Sequence, residues 1–217
     1  MKSLCTAFVA LLLSTFSATA QENLWVVEAE DPLSQVEWRG DTAEIWAPKG
    51  FTLWHRPELR GNIRITYRVC FPSSADPSPA NRLSDMNCFW MATDPTAPAG
   101  SIWVNAQKRG GAFKNCATLA LYYVGYGGNY NSTTRFRRYD GRPSPALLQE
   151  YTDPSHLLRP DHWYEVCIET SNGQVRYSVD GELLFQWDDP SPLRHGWFGY
   201  RTTLSHSLLC GFKVEGE

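Results

Sequence analysis

Apolar and polar residues alternate with a period of two along several short stretches of this chain. In Asn62–Phe71, NIRITYRVCF, the residues Ile63, Ile65, Tyr67, Val69 and Phe71 fall on one face, and Arg64, Thr66 and Arg68 on the other. That is the pattern of a half-buried β-strand. Trp163–Thr170, WYEVCIET, alternates in the same way. Gln174–Val179, then Asp180-Gly181, then Glu182–Trp187 predicts a hairpin, because Asp-Gly accepts the positive φ angles of a type I′ turn. Gly196–Thr202 and Cys210–Val214 predict the last two strands. Pro72–Asn81 and Asp94–Gly100 read as loops, and Tyr151–Asp161 as holding one short helical turn. No long amphipathic helix follows residue 20. The expectation is all-β: one jelly-roll sandwich over residues 21–217.

The N-terminus breaks the pattern. Lys2 precedes the apolar run AFVALLLSTFSA, and Ala18-Thr19-Ala20 is a small-x-small cleavage site. Residues 1–20 are therefore expected to be a signal peptide, with export to the periplasm or the extracellular space. The run is shorter than the ~20 residues of a spanning helix, so no membrane anchor is expected. Removing it takes away one lysine and no acid, which moves the formal charge from −3 to −4. A mildly acidic chain argues against general nucleic-acid binding. A monomer is expected. Cys70, Cys88, Cys116, Cys167 and Cys210 remain, an odd number without CxxC spacing. They are read mainly as small core residues, with bridges left open.

Residues 121–141, LYYVGYGGNYNSTTRFRRYDG, stand out chemically: five tyrosines, four glycines, three arginines and two asparagines. Aromatic faces stack on flat rings, and a guanidinium fork matches a carboxylate. The window points to an acidic glycan as partner. Arg135, Arg137 and Tyr139 share a face if 134–139 is a strand, with Phe136 and Arg138 on the other. The same alternation separates Tyr122, Val124 and Tyr126 from Tyr123 and Gly125.

The closing order, W-Y-x-V-x-I, G-x-V-x-Y-x-V-D-G and G-x-F-G-x-R, resembles concanavalin A-like lectin and glucanase domains. NRLSDMNCFWMATDP at 81–95, YYVGYGGNYNSTTRFRRYDG at 122–141 and GWFGYRTTLSH at 196–206 resemble a bacterial family of jelly-roll domains of the YesU type. That resemblance implies a role in polysaccharide utilisation, toward pectin- or rhamnogalacturonan-like substrates, and implies no mechanism. RPELR at 56–60 followed by YYVGYGGNYN is similar to strands of jelly-roll alginate lyases. Val124 stands where those enzymes carry Lys and no Q-[IV]-H segment intervenes, so this likeness is read as convergence or chance.

Three activities are compatible with these residues. Uronate elimination needs a carboxylate neutraliser, a base and an acid. On that reading Arg135, Arg137 and Arg201 bind the sugar acid, and Asn129 and Asn131 orient the ring. Tyr122 and Tyr139 line the groove, and Tyr126, Tyr130 or His206 moves the proton. A glycosidase needs two carboxyls at defined separation, and no E-x-D-x-x-E string occurs. A non-catalytic module would stack sugars on tryptophan, for which Trp54 and Trp103 are the candidates. The lyase is placed slightly ahead. Ser84-Asp85-Met86-Asn87 is balanced between a capping turn and a ligand contact. No metal or organic cofactor is expected, and a structural calcium is left open.

Overall fold

The computed structural model describes residues 21–74 and 81–216. Residues 1–20, expected to be a signal peptide, and part of the proline-rich loop lie outside the described residues. The strands are β1 (Trp25–Ala29), β2 (Gln35–Arg39), β3 (Thr42–Ala47), β4 (Phe51–His55), β5 (Leu59–Arg60), β6 (Ile63–Cys70), β7 (Met86–Thr93), β8 (Ala120–Gly127), β9 (Thr133–Asp140), β10 (Ala146–Tyr151), β11 (Tyr164–Ser171), β12 (Gln174–Val179), β13 (Glu182–Asp188), β14 (His195–Thr202) and β15 (Ser205–Gly216). They form two antiparallel sheets. One runs β1-β4-β14-β7-β8-β9-β10, with β5 paired to β14; the other runs β13-β12-β11-β6-β15-β3-β2.

The alternating stretches form the strands expected of them. Ile63, Ile65, Tyr67 and Val69 enter the core between the sheets, while Arg64 and Arg68 face solvent. Asp180 and Gly181 hold φ of 53° and 80° between β12 and β13, as a type I′ turn requires. The short turn falls at Pro154–His156 as a 3₁₀ helix. The five cysteines among the described residues are free. Burial pushes the Cys88 thiol up to about 12 and that of Cys116 to about 11, which suits inert core residues.

The first sheet is buried on both faces over much of its area. Its inner face carries Trp90, Tyr122, Phe136 and Tyr200. Its outer face carries Trp54, Phe89, Leu121, Tyr123, Tyr139 and Trp197. Ile102, Cys116 and Leu119, from the non-strand segment 94–119, pack down on that outer face. A clasp holds the segment in place. Arg109 donates from Nε and Nη2 to the two oxygens of Glu28 on β1 (3.3 and 2.8 Å) and from Nη2 to the Ile102 carbonyl (2.7 Å).

One core group ties stability to pH. His55 packs against Trp25 (5.0 Å between ring centroids) and Phe212 (4.8 Å), and its Nδ1 is buried without a partner. Desolvation lowers its pKa from 6.5 to about 4. Between those values the unfolded chain binds more protons than the folded one. Stability is therefore complete above about pH 6.5 and falls toward pH 4, by on the order of 2–3 kcal/mol. Urea melts at pH 7 and 4.5 should show this fall, and a shallower one in His55→Leu; equal slopes would remove His55 as its source.

Candidate functional site

The outer face of the first sheet holds most of the chemistry near one end of its central strands. Register sets two rows across it. The first runs Glu28, Thr52, Arg201, Asn87, Gly125, Arg135, Glu150 across β1, β4, β14, β7, β8, β9 and β10. The second runs Val26, Trp54, Gly199, Phe89, Tyr123, Arg137, Leu147. Adjacent strands lie about 4.8 Å apart, so Asn87 and Arg135 are separated by about 10 Å with only Gly125 between them. Gly125 has no side chain, and the Tyr123 phenol fills the space its Cβ would take.

The floor at this end of the face is polar and buried. Asp85, at φ 68°, is in the left-handed region, uncommon for a residue other than glycine. Its carboxylate accepts from Arg82 (2.5 Å), from Asn87 Nδ2 (3.2 Å) and from the Ser84 hydroxyl. Asn87 is 4% exposed, and its Oδ1 has no hydrogen-bond partner. Unpaired buried acceptors are uncommon, because each forfeits its hydration. Burial raises the Tyr123 pKa, with the neighbouring Tyr139 phenol adding to the effect, so Tyr123 keeps its proton.

Two aromatic faces flank the floor. Phe113, 40% exposed, comes from segment 94–119; its ring centroid lies 5.4 Å from that of Tyr123 and 5.0 Å from the Arg201 guanidinium carbon. Tyr130, 75% exposed in the β8–β9 turn, lies under the Arg82 guanidinium at 4.4 Å. Arg135 pairs with Glu150 across β9 and β10. Arg137 donates to the Pro145 carbonyl (3.3 Å), and no described acid pairs with it. Desolvation pushes the neighbouring Tyr139 phenol up to about 12, and the Arg137 charge opposes that rise.

The expected site residues separate accordingly. Arg135, Arg137, Tyr139 and Arg201 share the outer face, although Arg201 is 3% exposed. Its Nη1 donates to Thr52 Oγ1 (3.0 Å) and to the Gly111 carbonyl (2.8 Å), so it pins the covering segment to the sheet. Tyr126 and Tyr122 must be corrected as groove residues. Both face the inter-sheet core, Tyr126 against Tyr164 (5.5 Å) and Tyr122 donating to Asp189 (2.6 Å). His206 must be corrected as well. It lies on β15 of the other sheet, stacked on Trp46 and 3.0 Å from Glu44. Trp54 is fully buried beneath the Arg109 guanidinium, not exposed for stacking. Trp103 is half-buried beside Trp197, near the opposite end of this face. Asn131 is corrected too, since its amide bonds the Leu158 backbone in both directions (2.9 and 2.8 Å). Asn129 closes its own turn onto Ser132 (3.2 Å).

Tyr123 and Phe113 were not foreseen. The period-two pattern did separate Tyr123 from Tyr122, but a face buried by a covering segment gives no signal as to which row meets ligand. Among the described residues no three His, Cys, Asp or Glu side chains gather in a way that could hold a metal ion. No described helix is long and apolar enough to cross a membrane.

A two-sheet antiparallel sandwich with one partly covered, polar-floored outer face defines the class of protein. Within it, the chain belongs to the family described as Domain of unknown function (DUF6250), whose model matches residues 45–212. No curated protein matches the chain significantly. The fold is shared with solved structures at low identity. A Bacillus subtilis protein of unknown function with a galectin-like fold aligns at TM-score 0.71 and 16% identity, covering 93% of each chain. The carbohydrate-binding module CBM66 from Bacillus subtilis aligns at 0.58 and 10%, covering 89% of this chain and 96% of that one. A prokaryotic β-1,3-1,4-glucanase (lichenase) derived from a mouse hindgut metagenome aligns at 0.51 and 11%, covering 88% and 91%.

Proposed function

We propose that this is an exported glycan-binding protein whose site is the outer face of the first sheet between Phe113 and Tyr130, and that its ligand is a uronate-containing saccharide. The observation that carries this reading is the juxtaposition across Tyr123 and Gly125. The unpaired Asn87 acceptor stands on one side and Arg137, a cation with no described acid partner, on the other. A sugar carboxylate supplies the anion for Arg137, above the buried Asn87 acceptor. The exposed rings of Phe113 and Tyr130 offer apolar faces to a pyranose. The carbohydrate-binding module and the glucanase among the structural neighbours support a glycan as ligand class. Export through segment 1–20 and action as a monomer belong to the same reading.

A lyase is the second reading, favoured by one observation: Tyr123 and Arg137 are direct register partners, an acid beside a carboxylate neutraliser. The raised pKa of Tyr123 suits proton donation to a leaving oxygen and opposes its use as the base. Binding therefore leads.

Affinity electrophoresis in polygalacturonate, rhamnogalacturonan, alginate and ulvan, run beside absorbance assays for unsaturated uronates, tests both readings. Retardation without new absorbance is the expected result; new absorbance would promote the lyase. Arg137→Ala should weaken binding at least tenfold, about 1.4 kcal/mol. Gly125→Ala should displace the Tyr123 phenol and weaken binding likewise, with a small change in melting temperature. Full affinity in Arg137→Ala would sink the anion clamp.

A further inference from the structure

The outer face of the first sheet carries a second cleft, built from different residues. It is an open hollow of about 520 Å³ at the β5–β14 end, a size within the range of small-ligand sites. Its lining includes Glu58, Arg60, Ser101, His195 and Trp197. Backbone pairing holds His195 opposite Arg60. Glu58 lies between two basic side chains: Oε1 is 2.8 Å from His195 Nδ1, and Oε2 is 2.5 Å from Arg60 Nη2. With Nδ1 anchored on the carboxylate, Nε2 is the imidazole atom left for a ligand. Trp197 is fixed from behind, donating its indole N–H to the Arg56 carbonyl (3.1 Å). Gly100 of the covering segment, at φ 69°, closes beside the imidazole; a Cβ there would sit 3.7 Å from His195 Cε1.

The charges in this cleft balance. Glu58 compensates Arg60, so this ion pair leaves no fixed net charge to select an anion. What the walls offer is a fan of hydrogen-bonding groups around an indole: the Arg60 guanidinium, His195 Nε2, the Ser101 hydroxyl and the Glu58 carboxylate. That set matches a neutral polyol ring, whose hydroxyls both donate and accept. His195 and Arg201 share β14 six residues apart, about 20 Å. We propose that this cleft is a second saccharide site, selective for uncharged sugar units and separate from the Arg137 site. Its chemistry stands whether or not Arg137 binds uronates.

Titration calorimetry of the full chain with neutral gluco-, xylo-, manno- and galacto-tetraoses tests it. At least one should bind to the wild type. Arg60→Ala, at an exposed side chain, and Glu58→Gln should each weaken that binding at least tenfold while leaving polygalacturonate retardation unchanged. Arg137→Ala should show the converse. Absence of binding to every neutral tetraose, or binding that survives both cleft substitutions in variants melting as the wild type does, overturns the proposal. Loss of neutral binding in Arg137→Ala alone would place both ligands in one site and overturn it as well.

Discussion

Arg109→Ala should lower the unfolding free energy by about 3–5 kcal/mol, read as a large drop in the urea midpoint at an unchanged slope. Arg109 ends a single helical turn, Ala106–Arg109, that Gly110 stops in the left-handed conformation. So short a turn has no stability of its own. It persists because the Arg109 side chain, 3% exposed, reaches Glu28, 7% exposed, on the first strand. Glu28 also accepts from the Gly111 amide (3.4 Å). Removing the guanidinium leaves a buried carboxylate with that one long bond, and such a charge costs far more than an intact pair contributes. Arg109→Met combined with Glu28→Met removes both charges and should recover much of the loss. A loss below about 1 kcal/mol in Arg109→Ala would show that the clasp does not hold the segment.

Gly111→Ala should be nearly as damaging, at about 3–4 kcal/mol, for a backbone reason. Gly111 has φ 73°, and an added Cβ would lie 2.6 Å from the Glu30 nitrogen and 2.7 Å from Ala29 Cα. Those are main-chain atoms of the first strand and its end, so no side chain can swing aside. The segment must lift. Gly111 also presents its carbonyl to Arg201, and Arg201 lies against Phe113. Lifting therefore moves the aromatic wall of the proposed glycan site and should weaken uronate binding together with stability. Gly40→Ala is the control. Gly40 has φ 66° with nothing within 4 Å of an added Cβ, so it bears conformational strain alone, about 1 kcal/mol. Equal losses at positions 40 and 111 would show that the close approach carries no weight.

Both variants act on segment 94–119, where reading from the residues was least informative. Strands β6, β11, β12 and β13 announce themselves because one face meets core and the other meets water. β8 is different. All eight of its residues, Ala120–Gly127, are buried, since Leu121 and Tyr123 lie beneath the covering segment. Alternation placed Tyr122 and Tyr126 opposite Tyr123, and the structure keeps them opposite. It could not say which row faces outward, because both rows are aromatic. Tyr122 and Tyr126, expected in the groove, face the inter-sheet core instead. His206 failed for another reason: β14 and β15 are joined by a short turn yet belong to different sheets.

Local chemistry along the chain was enough to specify strands, turns and the clustering of arginine with tyrosine, because each depends on neighbours a few residues away. The shared face of Arg135, Arg137 and Tyr139 follows from pleating alone. Long-range packing decided the rest: which sheet each strand joins, which side segment 94–119 covers, and that Asn87 and Tyr123 rather than Tyr126 and His206 stand beside the arginines. Those outcomes turn on register between strands far apart in sequence and on one buried ion pair 81 positions apart, Glu28 with Arg109, and no short window of residues contains them.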